Sequence, residues 1–217
     1  MGRFLRLIGK SILDARAAWA LVWVNVAVYI LCWLSTPVAM ALVLDNSAVW
    51  SEPWRLLTYM FVQLSPLHLL GNMIALVLAG AWFLSVARRG WQLWAVYIIG
   101  GIAGGALSAT PPNALILVGA SASIFAILAA TVFVPPASKL ERVYFIGLLI
   151  ALFAPLIAQI TYPLNYVAHF GGILIGIPLG FALRYLNRAR PNPLVIQAQQ
   201  SGFASLTLEQ RQALIKK

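Results

Sequence analysis

The chain has 217 residues, of which 62% are hydrophobic and 9% are charged, and its formal net charge is +10. Soluble domains carry about 25% charged residues, so this composition excludes an ordinary soluble domain. The basic residues are spread along the chain rather than gathered on one domain, which argues against binding of nucleic acid. The sequence therefore predicts an integral membrane protein with no nucleic-acid partner.

Six apolar stretches follow one another along the chain, each about as long as the ~20 residues that a helix needs to cross a bilayer. Breaks such as Arg88–Gly90 and Pro135–Pro136 separate them. In lipid, each segment must satisfy its own backbone polar groups, so each stretch is expected to be a helix. The predicted spans are 17–34, 67–86, 91–109, 114–134, 143–160 and 164–186. The predicted fold is all-α, a bundle of six transmembrane helices.

These spans divide the chain into a basic N-terminus (1–16), one membrane domain (17–186) and a short tail (187–217). In the tail, Thr207 and Gln210 have the spacing of a capping box, which predicts a brief helix running to Lys217. The first span resembles a secretory signal, with Ala39–Ala41 as a cleavage pattern. However, it is longer than the usual core of about 7–15 residues, and its loss would leave an odd number of spans. We expect it to be retained.

The placement of positive charge predicts the orientation. With loops assigned alternately to the two sides, Arg55 is the one residue among the 15 Lys and Arg that does not fall on the side of the termini. Basic loops stay on the cytoplasmic side, so both termini are expected to be cytoplasmic. The compact six-span form without transit-peptide features favours a bacterial plasma membrane.

The first outer loop, residues 35–66, is long for a connection. Its apolar stretches 38–44 and 56–62 suggest that it lies partly in the outer leaflet. We expect Arg55 to anchor this loop rather than to take part in chemistry.

Few polar groups fall inside the spans, and each is a functional hypothesis because intramembrane polar groups are costly. All five acidic residues lie outside them, and Cys32 is the single cysteine. The sequence therefore offers no buried carboxylate pair and no metal-ligand cluster, and we expect neither a metal nor a cofactor.

The predicted topology places the remaining polar groups in one layer beneath the outer face. His68 lies at the outer end of the second span, with Asn72 one turn deeper. At ~1.5 Å per residue, Ser121 lies about 9–10 Å below the start of the fourth span and His169 about 6–8 Å below the start of the sixth. A serine, a histidine base and further hydrogen-bond donors could meet in this layer.

Small residues repeat every fourth position on two spans, and such stripes let helix backbones approach closely. The two stripes, expected to face each other, are Gly172, Gly176 and Gly180 on the sixth span and Ala122, Ala126 and Ala130 on the fourth. Contact between Ser121 and His169 is then geometrically reasonable. Ser123 lies roughly 200° around the helix from Ser121 and is expected to point elsewhere.

Each residue also has a purely structural interpretation. A membrane serine commonly bonds back to the carbonyl four residues earlier, here Leu117. An intramembrane histidine can be a structural hydrogen-bonding group, and Asn72 alone would be read as a helix–helix contact. The catalytic interpretation rests on two observations. Ser121, His169 and His68 share one predicted layer, and the spans offer no other set of catalytic groups.

Three motifs, His68-Leu-Leu-Gly-Asn72, Gly119-Ala-Ser121 and Ala168-His169-Phe-Gly171-Gly172, closely resemble those of the rhomboid family of intramembrane serine proteases. They occur in the family's order, and Trp54-Arg55 resembles its loop signature. The resemblance covers residues 17–186.

The resemblance implies that Ser121 is the nucleophile and His169 the general base. His68 and Asn72, with the Ser121 backbone N–H, would bind the oxyanion. The implied substrates are transmembrane segments of other membrane proteins, cut near their outer ends.

One position departs from the family pattern, because Ala122 stands where glycine usually follows the nucleophile. Its methyl group could crowd the sixth span or tilt the serine. An inactive rhomboid-like protein that binds membrane helices therefore stays open, as does a small transporter. The transporter is disfavoured because Arg184, at the end of the sixth span, is the single charged residue in the predicted spans, and because inverted repeats are not apparent.

Overall fold

The computed structural model describes residues 15–87, 89–110, 115–133, 164–187 and 206–210. Its contacts divide the chain into two compact units, Met1–Arg184 and Tyr185–Lys217. The helices are α1 Arg16–Leu34, α2 Thr36–Leu42, α3 Arg55–Thr58, α4 Pro66–Ala87, α5 Gly90–Ser108, α6 Ser121–Phe133 and α7 Leu164–Leu186. A 3-10 turn covers Tyr59–Phe61, and the two short strands are β1 Leu44–Asp45 and β2 Ile116–Leu117.

Within the described residues, four helices are long and apolar enough to cross a membrane: Arg16–Leu34, Pro66–Ala87, Gly90–Ser108 and Tyr166–Leu186. They correspond to the first, second, third and sixth predicted spans. The predicted fourth span corresponds to α6, a shorter apolar helix of 13 residues. The predicted fifth span, 143–160, lies outside the described residues, so the count of six stays a prediction.

The predicted start of the fourth span is wrong. The sequence placed a helix from residue 114, but α6 begins at Ser121. The preceding residues form β2, which pairs antiparallel with β1, and Gly119 has a φ of 115° that a right-handed helix cannot contain. The amide of Ile124 donates to the carbonyl of Ala120 as the helix begins. Ser121 therefore opens α6 instead of lying about two turns along it.

Helix α5 packs against both α6 and α7 because glycines line its contact surface. A Cβ added at Gly104 would lie 2.7 Å from the Ala122 Cβ of α6 and 2.7 Å from the Ala168 carbonyl oxygen of α7. A Cβ at Gly100 would lie 2.2 Å from the Ala126 Cβ. No larger residue fits at these positions without separating the helices.

The small-residue stripes of α6 and α7 lie against each other, as the sequence indicated. A Cβ added to any of the three glycines would lie within 2.5 Å of a carbonyl oxygen of α6. The pairs are Gly172 with Ala122, Gly176 with Ala126 and Gly180 with Ala130. The two backbones are therefore in direct contact along about two helical turns.

The loop between α1 and α4 is held at Arg55, the first residue of α3. Its guanidinium donates to the carbonyl oxygens of Met40 at 2.5 Å and Val43 at 2.7 Å, and it pairs with the Glu52 carboxylate. Its predicted role as an anchor is confirmed. Large apolar side chains on this loop are exposed, including Trp50 (76%), and its insertion into a leaflet stays a prediction.

The second unit contains the predicted capping box. The Thr207 amide donates to Gln210 Oε1 at 2.9 Å, and the Gln210 amide donates to Thr207 Oγ1 at 3.3 Å. Residues 208–210 are helical, and the predicted continuation to Lys217 lies outside the described residues.

Candidate active site

A serine and a histidine from two different helices meet at the contact between α6 and α7. His169 Nε2 lies 2.8 Å from Ser121 Oγ, although the residues are 48 positions apart in the sequence. This distance is within the range for a nucleophile and its base. The close approach of Gly172 to the Ala122 carbonyl brings the two side chains within reach.

The structural alternative for Ser121 does not match the local fold. A bond back to the Leu117 carbonyl needs one helix through both residues. Leu117 lies in β2 and Ser121 is the first residue of α6. The hydroxyl is instead within hydrogen-bonding distance of His169.

The His169 ring is held by an aromatic neighbour on α6. The centroids of Phe125 and His169 are 4.7 Å apart and the rings are tilted by 39°. Such a contact restricts the ring while its edge stays available for hydrogen bonds. Phe125 is one helical turn beyond Ser121, so the same helix orients both members of the pair.

His68, in the first turn of α4, presents a donor because of its backbone partner. The Leu64 amide N–H lies 3.1 Å from His68 Nδ1 and donates to it. This nitrogen must then be the unprotonated one, so the neutral ring carries its proton on Nε2. The amide nitrogen of Asn72, Nδ2, lies 3.1 Å from that Nε2, and two donors therefore stand side by side.

Gly119 joins these donors to the serine. A Cβ added there would lie 2.8 Å from His68 Cε1 and 3.7 Å from Asn72 Nδ2. The backbone of Gly119 thus passes directly beside the two α4 side chains, two residues before Ser121. The structure brings together all four residues that the sequence singled out for catalysis.

The methyl group of Ala122 lies over a glycine of α5. Its Cβ would be 2.7 Å from a Cβ added at Gly104, whereas its carbonyl oxygen faces Gly172 of α7. The crowding of the sixth span that the sequence left open therefore does not arise from this methyl group. The side chain is accommodated because the residue opposite has none.

Ser123 points away from Ser121, as its position on the helix indicated. It is fully buried, and its hydroxyl lies 3.7 Å from the Met60 sulfur. A Cβ added at Gly101 of α5 would lie 2.6 Å from this hydroxyl. Ser123 therefore packs α6 against α5 and the 3-10 turn.

Sequence reasoning missed the buried amides behind the site. Asn25 of α1 and Gln63, which precedes α4, form hydrogen bonds with each other and with Tyr97 or Asn72. Asn25 was not predicted as a site residue, because the sequence-based candidates were histidines, acids and residues of the motifs. It interrupts an otherwise apolar span, and a count of every intramembrane polar residue would have found it.

Comparisons with known proteins identify related sequences. A family model described as the Rhomboid domain matches residues 50–186, which include Ser121, His169, His68 and Asn72. "Rhomboid-related protein 1" of Caenorhabditis elegans is 42% identical over 82 residues, which are 37% of this chain and 22% of that protein. "Rhomboid-related protein 2" of Mus musculus is 27% identical over 150 residues, 61% of this chain and 48% of that protein. The matches thus span about half or less of these relatives' lengths.

Proposed function

The chain belongs to the rhomboid family, and from this premise we propose that it is an intramembrane serine endopeptidase. One observation carries the proposal: the 2.8 Å contact between Ser121 Oγ and His169 Nε2. A serine hydroxyl is a weak nucleophile until an adjacent base accepts its proton, and an imidazole nitrogen at this distance is such a base.

The reaction is acyl transfer. His169 Nε2 takes the hydroxyl proton as Ser121 Oγ attacks the carbonyl carbon of a peptide bond. The tetrahedral intermediate collapses when the imidazolium returns the proton to the departing amine, which leaves an acyl-enzyme. Water, deprotonated by the same imidazole, then attacks the ester and regenerates the hydroxyl.

Three donors surround the position of the oxyanion in this mechanism. They are His68 Nε2–H, the Asn72 amide and the backbone N–H of Ser121, which lies in the first turn of α6 and so has no partner within the helix. Such donors are each worth about 10²–10³ in rate in comparable sites. The proton on His68 Nε2 is favoured by the Leu64 amide bonded to Nδ1.

The proposed substrates are transmembrane segments of other membrane proteins, cut near their outer ends. An intact helix hides its peptide bonds in intramembrane hydrogen bonds, so a segment must unwind locally to reach Ser121. The charge distribution supports cytoplasmic termini and, with the predicted helix directions, an active site near the outer face. The predicted compact six-span form is the ground for proposing a bacterial plasma membrane.

Cleavage in liposomes tests the proposal. The protein is reconstituted with a panel of single-span reporter proteins that carry helix-breaking residues near one end of the span. We expect shortened products, and we expect their loss with Ser121→Ala and with His169→Ala. Stable capture of reporters without shortening would instead favour the inactive helix-binding protein.

A further inference from the structure

A chain of buried amides runs from the candidate oxyanion site to the backbone of α1. Asn72 Nδ2 donates to Gln63 Oε1 at 2.8 Å, and Gln63 Nε2 donates to Asn25 Oδ1 at 2.9 Å. Asn25 Nδ2 in turn donates to the Leu21 carbonyl oxygen at 2.9 Å. The three amide side chains are 5% exposed or less, so they exchange these bonds for others only at a cost.

The direction of every bond in this chain follows from its last member. A backbone carbonyl oxygen can only accept, so Leu21 fixes which end of the Asn25 amide carries the NH₂ group. Asn25 then presents its oxygen to Gln63, whose NH₂ group must face it. Gln63 consequently presents its oxygen to Asn72, and Asn72 must turn its NH₂ group toward Gln63.

Tyr97 of α5 requires the same orientation of the Asn25 amide. Its hydroxyl donates to the Met60 carbonyl oxygen at 3.0 Å, which leaves the hydroxyl oxygen to accept from Asn25 Nδ2 at 3.1 Å. Two backbone carbonyls, Leu21 and Met60, therefore set the orientation of Asn25 independently.

The observed orientation of the Asn72 amide is not the one that its contact with His68 favours. Its Oδ1 is buried and has no hydrogen-bond partner among the described residues. A rotated amide would place that oxygen 3.1 Å from His68 Nε2, where it would accept a hydrogen bond from the Nε2–H group. That rotation would give the unpaired oxygen a hydrogen bond. The observed orientation must therefore be imposed by the hydrogen bond from Asn72 to Gln63.

We propose that Gln63 and Asn25 are positioning residues that keep the Asn72 amide turned with its NH₂ group toward the developing oxyanion. The proposal rests on the proposed function and extends it to residues that do not touch the substrate. A rotated Asn72 presents an oxygen to the oxyanion and also occupies the His68 donor, so both contributions weaken together.

Gln63→Met is the principal test, because methionine is close to glutamine in shape and offers no amide. We expect kcat on a reporter to fall roughly 10-fold with KM unchanged, less than the ~10²–10³ loss from deleting a donor. Affinity for a peptidyl boronate, which forms a tetrahedral adduct on Ser121, is expected to fall by the same factor. A purely structural role would not move boronate affinity and kcat together at constant KM.

The matched control is Thr131→Val on α6. Thr131 is fully buried and donates to the Ile127 carbonyl oxygen at 2.6 Å, so the variant also loses one buried hydrogen bond but has no link to the amide chain. Its kcat and boronate affinity are expected to match those of the wild type. Asn25→Leu removes the amide to which Gln63 donates and is expected to lower kcat and boronate affinity together at constant KM, which provides a test should Gln63→Met not fold.

Unchanged kcat and boronate affinity in folded Gln63→Met, or in Asn25→Leu where Gln63→Met does not fold, would overturn the proposal. So would a loss confined to KM. Failure of the proposed function looks different, because the wild-type protein would then show no turnover that depends on Ser121.

Discussion

Gly119 shows how a single residue determines the geometry of the site. Its φ of 115° turns the chain out of β2 and into α6, and its missing side chain lets His68 pack against the backbone. Glycine adopts this conformation without strain, whereas other residues adopt it at a cost in free energy. The serine and the two α4 donors are adjacent because this one position has no Cβ.

Gly119→Ala is therefore expected to damage the site more than the fold. The new Cβ would lie 2.8 Å from His68 Cε1, and the positive φ adds a cost of about 1–3 kcal/mol. We expect Ser121-dependent turnover to fall by more than about 10-fold, as one oxyanion donor is displaced. Reporter cleavage measures this.

Gly90→Ala serves as the control, because Gly90 begins α5 away from the site and the Cβ would meet only the Ala17 side chain at 3.0 Å. Its turnover should stay near that of the wild type. Equal turnover in both variants would show that His68 does not depend on Gly119.

At the level of single residues, the sequence singled out four candidates by their predicted depth in the membrane and by their motifs: Ser121, His169, His68 and Asn72. It could not indicate which way the Asn72 amide faces. That orientation depends on Gln63 and, through it, on Asn25 of another helix. Such long-range hydrogen bonds leave no local pattern in the sequence.

Among the elements, α5, α6 and α7 form a closely packed group whose contact surfaces are glycine and alanine. The repeat of small residues every fourth position was visible on the fourth and sixth spans. The corresponding glycines of α5, Gly100 and Gly104, were overlooked, although both contact α6. The start of α6 could not be predicted, because it depends on pairing between β1 and β2 from distant parts of the chain.

Gly176→Leu tests this packing. The added side chain would start 2.5 Å from the Ala126 carbonyl oxygen, so the helices must separate. We expect the free energy of unfolding to fall by about 1–3 kcal/mol, the usual cost of overpacking, and cleavage to fall as His169 moves from Ser121. Unfolding in mixed micelles measures the first effect.

Leu174→Ala is the matched change on α7, at a residue that is 55% exposed in the isolated chain. It should leave both stability and cleavage near wild-type values. A Gly176→Leu protein as stable as the wild type would contradict the direct backbone contact of α6 and α7.

The outer loop depends on the shape of the Arg55 guanidinium as well as on its charge. Its guanidinium reaches two carbonyl oxygens and the Glu52 carboxylate together, whereas a lysine offers a single point of charge. We expect Arg55→Lys to expose the loop to protease much as Arg55→Met does. Timed proteolysis in detergent measures this, and full protection in Arg55→Lys would argue against a geometric role.

At the scale of the whole molecule, charge distribution and helix direction together predict which side each loop occupies. The composition identified a membrane protein, and the family match over residues 50–186 agrees with the motifs. The predicted fifth span and most of the tail lie outside the described residues, so the six-span topology depends on the sequence pattern alone.

Sidedness can be measured with single cysteines in a Cys32→Ala background. Ser47, in the first outer loop, and Arg89, between α4 and α5, are both exposed. In intact cells, an impermeant maleimide is expected to label Ser47→Cys and to label Arg89→Cys only after lysis. Labelling of Arg89→Cys in intact cells would reverse the predicted orientation.

The central claim is that His169 activates the Ser121 hydroxyl, and labelling by a fluorophosphonate in native-like lipid tests it most directly. The reagent bonds covalently to an activated serine, so we expect the wild-type protein to be labelled and Ser121→Ala to be unlabelled. His169→Ala should also lose labelling, whereas Ser123→Ala should retain it. Undiminished labelling of Ser121→Ala, or of His169→Ala, would contradict the claim.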